Sequence, residues 1–310
     1  GLKDRAVTRD LNWGIEIPLP GYEDKRMYVW IDAVLGYLTD TMRVCEERGW
    51  DWEDFWKEGR NNKIYMCHGK DNIVFHSIIL NALLLGQEDN YHLVDTIVST
   101  EYLNYNDQKF SKSKKIGITA LEALETYPVD SLRYHLISNG PEKKDTNFTP
   151  EDFVATHNGE LLNKFGNLVN RTLKFKGIEK IETATIDPEI KEEIEKSYSE
   201  VSDLIERLEF REATERIMNL VEKANKYYDN QEPWKQVKED EQAFKNTIFT
   251  CANIIANLSN LFEPIMPATA GKIREYLELP EPSWKPIYIE KEIDLTSKNI
   301  EPLFERLKID

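Results

Sequence analysis

At 310 residues the chain is long enough for two domains of ordinary size. Apolar residues make up 40% of it and charged residues 31%, and no apolar run reaches bilayer length, which argues against a membrane role. A formal charge of -16 argues against non-specific adhesion to nucleic acid, so any RNA contact must use locally clustered cations. Three scattered cysteines, Cys45, Cys67 and Cys251, support neither a disulfide framework nor a zinc knuckle and point to reducing, cytoplasmic surroundings. The opening Gly1-Leu2-Lys3-Asp4-Arg5 has neither an initiating Met nor the apolar core of a signal peptide, so the chain is expected to be cut from something longer.

Taken in chain order, Met27–Asp32, Lys63–Gly69 and His92–Thr100 are rich in Val, Ile, Tyr or Met and predict three strands. Residues 33–47 and 71–86 carry apolar positions at helical spacing between them. Strand, helix, strand, helix, strand is the order of a parallel α/β sheet. Doubly wound nucleotide-binding sheets contain about five or six strands, so this reads as the second half of one. Thr149-Pro150-Glu151-Asp152 then opens a helix, with a capping Thr before a Pro at the first helical position. Leu161, Leu162, Phe165, Leu168 and Val169 mark its buried stripe. Further helices are predicted over 187–207, 210–229, 238–262 and 267–278, and the proline-bearing tail 284–310 reads as an ordered extension. The fold class is therefore α/β followed by all-α: half of a Rossmann-like domain, then a helical bundle.

Five segments have the residue types for chemistry, and each also has an ordinary structural reading. Lys109-Phe110-Ser111-Lys112-Ser113 sets two lysines among small hydroxyl residues beyond the last strand, where doubly wound folds bind ligands. Mobile ammonium groups there suit a polyphosphate whose charge grows in the transition state; the alternative is a solvated basic loop. Tyr65-Met66-Cys67-His68-Gly69-Lys70-Asp71 ends a strand at Gly69 and places Asp71 at a helix start, either as a cap or as an acceptor for ribose hydroxyls. His76 follows one turn later and by itself reads as a hydrogen-bonded interior residue. Trp30, near a strand end, and Tyr37, a turn into the next helix, are either core or a wall suited to a flexible thioether side chain. Asn163, Asn167 and Arg171 recur every four residues, either a solvated face or a set of amide and guanidinium groups suited to unpaired bases. Trp234 is either a base-stacking platform or the anchor of the next helix.

In their order and spacing these segments resemble the methionyl-tRNA synthetase family of class I aminoacyl-tRNA synthetases across nearly the whole chain. Lys109-Phe110-Ser111-Lys112-Ser113 matches the second class I signature, with Phe110 in place of the usual Met, a variant similar to the archaeal and eukaryotic branch. Tyr28-Val29-Trp30-Ile31-Asp32-Ala33 and Gly69-Lys70-Asp71 with His76 look like the methionine-pocket and ATP segments, although Val34 stands where relatives often have Pro. The resemblance implies that Trp30, Ala33, Tyr37 and His76 surround the methionine side chain, that Gly69 and Asp71 meet the ribose of ATP, and that Lys109 and Lys112 attend its phosphates. It further implies a helix reading the CAU anticodon of tRNA(Met) through Asn163, Asn167 and Arg171, with Trp234 stacking on a base. Glu301-Pro302-Leu303-Phe304 resembles the family's tail.

The segments implied are 1–120 for the rear of the catalytic domain, 121–150 for a connecting stem-contact region, and 151–310 for the anticodon-binding domain with its extension. The expected partners are methionine, ATP with Mg2+, tRNA(Met), and a missing N-terminal half of the catalytic domain. That half holds the first signature, His-Ile-Gly-His or similar, together with the zinc-bearing insertion, so this chain alone is expected to be inactive and to hold no zinc. A stand-alone tRNA-binding module and a class I synthetase for another amino acid are the alternatives.

Overall fold

The computed structural model describes residues 4–308 and forms two compact units, Gly1–Tyr102 and Leu103–Asp310. In the first unit, β1 (Thr8–Arg9) pairs antiparallel with β2 (Arg26–Met27). Three helices follow: α1 (Val29–Ala33), α2 (Gly36–Arg48) and α3 (Glu53–Trp56). α2 ends at Gly49, whose φ of 67° supplies the left-handed cap that a side chain would resist. β3 (Tyr65–Gly69) leads through a 3-10 turn, Lys70–Asn72, and a π turn, Phe75–Ile79, into α4 (Leu80–Leu85) and then β4 (Thr96–Thr100). β3 and β4 are parallel, in register from Tyr65 opposite Thr96 to Gly69 opposite Thr100. Val34, Trp56, Ile64, Met66, Leu80 and Leu84 form the buried core.

The predicted strand Met27–Asp32 is corrected by this arrangement. Pairing stops at Met27, and Val29–Ala33 is helical. A short apolar run cannot be told from a helical turn by composition, and here packing decides: Trp30 stacks on Phe75 with ring centroids 4.4 Å apart. The predicted helix 71–86 is likewise realised as 3-10, π and α turns in succession.

The second unit begins with a small sheet in the order β6-β5-β7: β5 (Leu103–Tyr105), β6 (Gln108–Lys109), then, after α5 (Ala120–Thr126) and α6 (Val129–Ser138), β7 (Thr146–Phe148). Thr119 caps α5 in a reciprocal box with Glu122. The helix announced by Thr149-Pro150 forms as α7 (Pro150–Thr156), with Thr149 accepting from the Asp152 amide, and continues through a π-helical stretch, His157–Gly166, into α8 (Asn167–Leu173). β8 (Lys180–Ile181) and the bundle helices follow: α9 (Pro188–Glu206), α10 (Phe210–Gln231), α11 (Pro233–Glu239), α12 (Glu241–Phe262) and α13 (Pro267–Leu277). α12 is the central helix, buried at every residue from Thr247 to Phe262. Asp130 and Arg133 of α6 hold its far end: Asp130 accepts from the Thr269 amide at 2.5 Å, and Arg133 donates to the carbonyls of Ile265 and Pro264 at 2.8 and 2.9 Å.

Beyond α13 the chain is extended and ordered, with β9 (Ile293–Asp294) pairing antiparallel with β8. Its order comes from buried asparagines on α12, which offer the amide chemistry of a neighbouring strand. Asn253 accepts from the Ile289 amide at 2.8 Å. Asn257 accepts from the Ile287 amide at 2.9 Å and donates to the same residue's carbonyl at 2.7 Å. Asn260 accepts from the Ser283 amide at 2.9 Å and donates to the Lys285 carbonyl at 2.9 Å. One face of α12, over about two turns, thus satisfies backbone groups that have no ladder partner. Among the described residues, no helix is long and apolar enough to cross a membrane.

Candidate functional site

In the first unit, α1, α2 and the π turn gather the residues expected at a methionine pocket. His76 is buried, with Nδ1 2.9 Å from the Asn72 carbonyl and Nε2 2.9 Å from the Tyr37 hydroxyl. A carbonyl only accepts, so the proton sits on Nδ1 and Tyr37 donates to Nε2. The ring also stacks on His68 at 4.5 Å. Trp30 reaches the same turn through Phe75, while Ala33 stands exposed on α1. The residue between His76 and Trp30 is therefore Phe75, which the sequence reading omits.

At the end of β3, Gly69 is extended, and no atom lies within 4 Å of where its Cβ would be, so a ligand has open access to the backbone there. Asp71 makes no cap bond at the start of its 3-10 turn; its carboxylate oxygens lie 2.7 and 2.6 Å from the Tyr102 hydroxyl, which donates to it. Lys70 pairs with Glu101.

In the second unit, Lys109 ends a tight hairpin. Asn106 and Asp107, with φ of 46° and 60°, make the two-residue left-handed turn that antiparallel strands favour. Ser111 and Ile116 then exchange backbone bonds, each 3.0 Å, and close a loop in which Lys112 and Ser113 are exposed. Phe110 packs on Tyr105, with centroids 5.7 Å apart. Gly117, at φ 111°, crosses so close to Phe110 that a Cβ would lie 2.1 Å from its ring. Gly117→Ala is expected to lower stability by about 1–3 kcal/mol through backbone strain and displacement of that ring. A thermal melt with limited proteolysis of the 109–116 loop checks this, and an unchanged melt and cleavage pattern would overturn it.

The bundle presents a groove of about 590 Å³ lined by Asn163, Asn167 and Arg171 from one side and by Asn225, Lys226 and Asp229 from the other. The π-helical stretch precedes Asn167, and the three expected residues still share this face. Arg171 is fixed by Asp229 at 2.7 Å and the Asn225 carbonyl at 2.8 Å, and its guanidinium lies 4.0 Å above the Tyr228 ring. Tyr228 donates to the Arg171 carbonyl at 3.0 Å, and its burial pushes its pKa up to about 12. Trp234 follows Glu232, whose left-handed φ of 49° ends α10, and Pro233, which opens α11. Its ring is 6.3 Å from Tyr228 and remains 45% exposed.

Tyr228 thus joins Arg171 to Trp234, a link the sequence reading misses. Asn225 and Asp229, four residues apart on the helix before Trp234, carry the signal that could have found that second wall. The opposite side of Asn163 and Asn167 faces a further groove of about 460 Å³ with Leu303, Phe304 and Arg306 of the tail.

Comparison with known proteins assigns both halves. Residues 1–173 match the family model for tRNA synthetases class I (M), and residues 179–298 match that for the anticodon binding domain of methionyl tRNA ligase. The chain is 44% identical over 312 residues to a methionine--tRNA ligase 1 of Alkaliphilus oremlandii, covering 99% of this chain and 56% of that protein. It is 44% identical over 315 residues to a methionine--tRNA ligase of Bacillus anthracis, covering 100% and 56%. The chain therefore spans little more than half the length of these relatives. Among solved structures it resembles the Mycobacterium tuberculosis methionyl-tRNA synthetase bound by methionyl-adenylate, with a TM-score of 0.84 at 23% identity, covering 98% of this chain and 61% of that one. The apo form of that enzyme gives 0.79 at 24%. At such identities these two speak for the fold: an α/β catalytic domain followed by a helical bundle.

Proposed function

Because the chain belongs to the tRNA synthetases class I (M), we propose that it is the C-terminal part of a methionine-tRNA ligase in a cytoplasmic setting. The whole protein joins methionine to ATP, forming methionyl adenylate and releasing pyrophosphate, then transfers the methionyl group to tRNA(Met). Trp30, Ala33, Tyr37 and His76 hold the methionine side chain, and the hydrogen-bonded His76 ring fixes the Tyr37 hydroxyl at the pocket wall. Gly69 and Asp71 receive the ribose. Lys109 and Lys112 follow the charge that moves onto the departing pyrophosphate, which stabilises the transition state more than bound ATP; Mg2+ accompanies the nucleotide. Residues 1–120 carry the chemistry, 121–150 adjoin the tRNA stem, and 151–310 read the anticodon.

The observation that carries this reading is the grouping of Asn163, Asn167 and Arg171 at one groove, with Tyr228 buried against Arg171 and joining it to the exposed Trp234 ring nearby. It offers amide donors and acceptors, a guanidinium fork and an exposed ring, the combination that recognises splayed bases. A hairpin RNA with a CAU loop is expected to bind this chain, and Trp234→Ala to weaken that binding roughly 5- to 100-fold, the worth of one base stack. Fluorescence anisotropy with CAU and altered-loop hairpins measures it, and equal affinity for both loops would sink the assignment. Pyrophosphate exchange, expected only when the preceding part of the ligase is present, tests the catalytic half.

A further inference from the structure

The groove that holds Arg171 does not end at its own residues. Glu222 and Lys226 also line a second groove, of about 330 Å³, that continues past Asn219, Lys223 and Arg216 of α10 to Lys196 and Glu200 of α9. On α10, Arg216, Asn219, Lys223 and Lys226 are three, four and three residues apart, so they form one stripe roughly 15 Å long.

Four cationic side chains stand there against two carboxylates, in a chain whose overall charge is -16. The contrast with the groove beside β8 is informative. That groove has about 660 Å³ and is lined by four carboxylates and three lysines, so it repels a polyanion.

The cations of the stripe are also braced from behind. Glu193 holds Arg216 and Lys223, each at 2.7 Å, and Glu200 pairs with Arg216 as well. Arg216 Nη1 is itself buried, with no hydrogen-bond partner among the described residues, so the exposed cations of the groove are Lys196, Lys223 and Lys226. Lys226 is exposed and forms no ion pair among the described residues. No aromatic side chain lines this groove, and three of its four cations are lysines, point charges that hold phosphates but do not distinguish bases.

We propose that the α9–α10 groove is a phosphate track for an RNA stem whose loop bases lie at Asn167, Arg171 and Trp234. The proposal rests on the reading of that neighbouring face as the anticodon site. Direct readout occurs at one groove and sequence-independent backbone contact at the next, with Lys226 at the join.

The test is a salt series of hairpin binding by the full chain, comparing wild type with Lys226→Ala, Lys223→Ala and Lys226→Arg. Each alanine variant is expected to bind about 3- to 10-fold more weakly at low salt, equally for CAU and altered loops. Each should also lower the slope of log affinity against log salt by about 0.7–0.9, one phosphate contact. Lys226→Arg should restore both values. Unchanged slopes in both alanine variants, or a loss confined to the CAU hairpin, would overturn the track. Failure of the anticodon reading has a different signature: wild type then binds both loops equally while the lysine variants still lower the slope. Absence of hairpin binding by wild type would overturn both. Because both lysines are exposed, the thermal melt of each variant should match wild type, and a loss of affinity accompanied by a collapsed melt counts against the proposal when Lys226→Arg shows the same loss.

Discussion

Asn257→Leu is expected to destabilise the bundle by about 3–5 kcal/mol, although the side chains are nearly equal in size. The native amide makes four bonds. It donates to the carbonyls of Ile287 and Asn253 at 2.7 and 2.8 Å, and accepts from the Ile287 amide at 2.9 Å and the Tyr198 hydroxyl at 3.0 Å. Leucine fills the space but leaves the Ile287 amide and carbonyl without their partner, and one orphaned buried group costs about 1–3 kcal/mol. The fully buried position gives water no ready route to replace the lost bonds. A urea titration should show a lower midpoint at unchanged slope. A loss under about 1 kcal/mol would mean that the extended tail holds its place without the asparagine.

Acid should destabilise the second unit well before its carboxylates titrate. His135 lies edge-on to Phe148 and Phe153, at 5.3 and 5.6 Å, with neither ring nitrogen partnered among the described residues. Burial lowers its pKa. His157 is also buried and lowered, burial outweighing the bond to the Glu305 carbonyl. In the native protein both histidines therefore bind protons less readily than in the unfolded chain, where the pKa is about 6.5. Their contribution is fully present above that pH and falls as pH drops below it, down to the native pKa values. Stability is therefore expected to fall as pH drops through this range, with a slope bounded by about 1.4 kcal/mol per pH unit for each ring. Urea midpoints between about pH 7.5 and 5 measure it, since ordinary carboxylates titrate mainly below that range. A flat profile there would refute the account, and His157→Gln should remove about half of any slope.

The helices of the bundle are legible in the sequence because their signals are local. Asp187-Pro188 caps and starts α9 as a side-chain acceptor followed by a proline should, and the apolar period carries through α10 and α12. Where the outcome depends on contacts distant in sequence, local signals fall short. The run after Met27 has the composition of a strand, but Phe75, nearly fifty residues later, decides its shape. The predicted helix 238–262 is divided at Asp240, whose side chain caps α12. At the candidate sites, residues with distinctive chemistry such as Lys109, Lys112, Arg171 and Trp234 are visible in advance. Those that set their geometry are not. Tyr228, the Asn106-Asp107 turn, and Asn253, Asn257 and Asn260 have roles that no local pattern announces, because each has a partner that only folding supplies.

The two units differ in how much core they own, and this orders their local unfolding. Among the described residues a cluster of six buried apolar residues holds the first unit, whereas the core of the second extends from Tyr134 through α8, α9, α10, α12 and α13 to Phe304. Opening free energy follows buried contact, so backbone amides around Trp30, Gly69 and His76 belong to the weaker cooperative block. Those of α10 and α12 belong to the stronger. In hydrogen-exchange terms, the residues proposed to hold methionine and ribose stand in the part of the chain that opens first, and those proposed to read the anticodon in the part that opens last. A ligand that orders the first unit therefore has the larger stability reserve to add, and methionine or ATP should protect those amides far more than RNA protects the already closed helices.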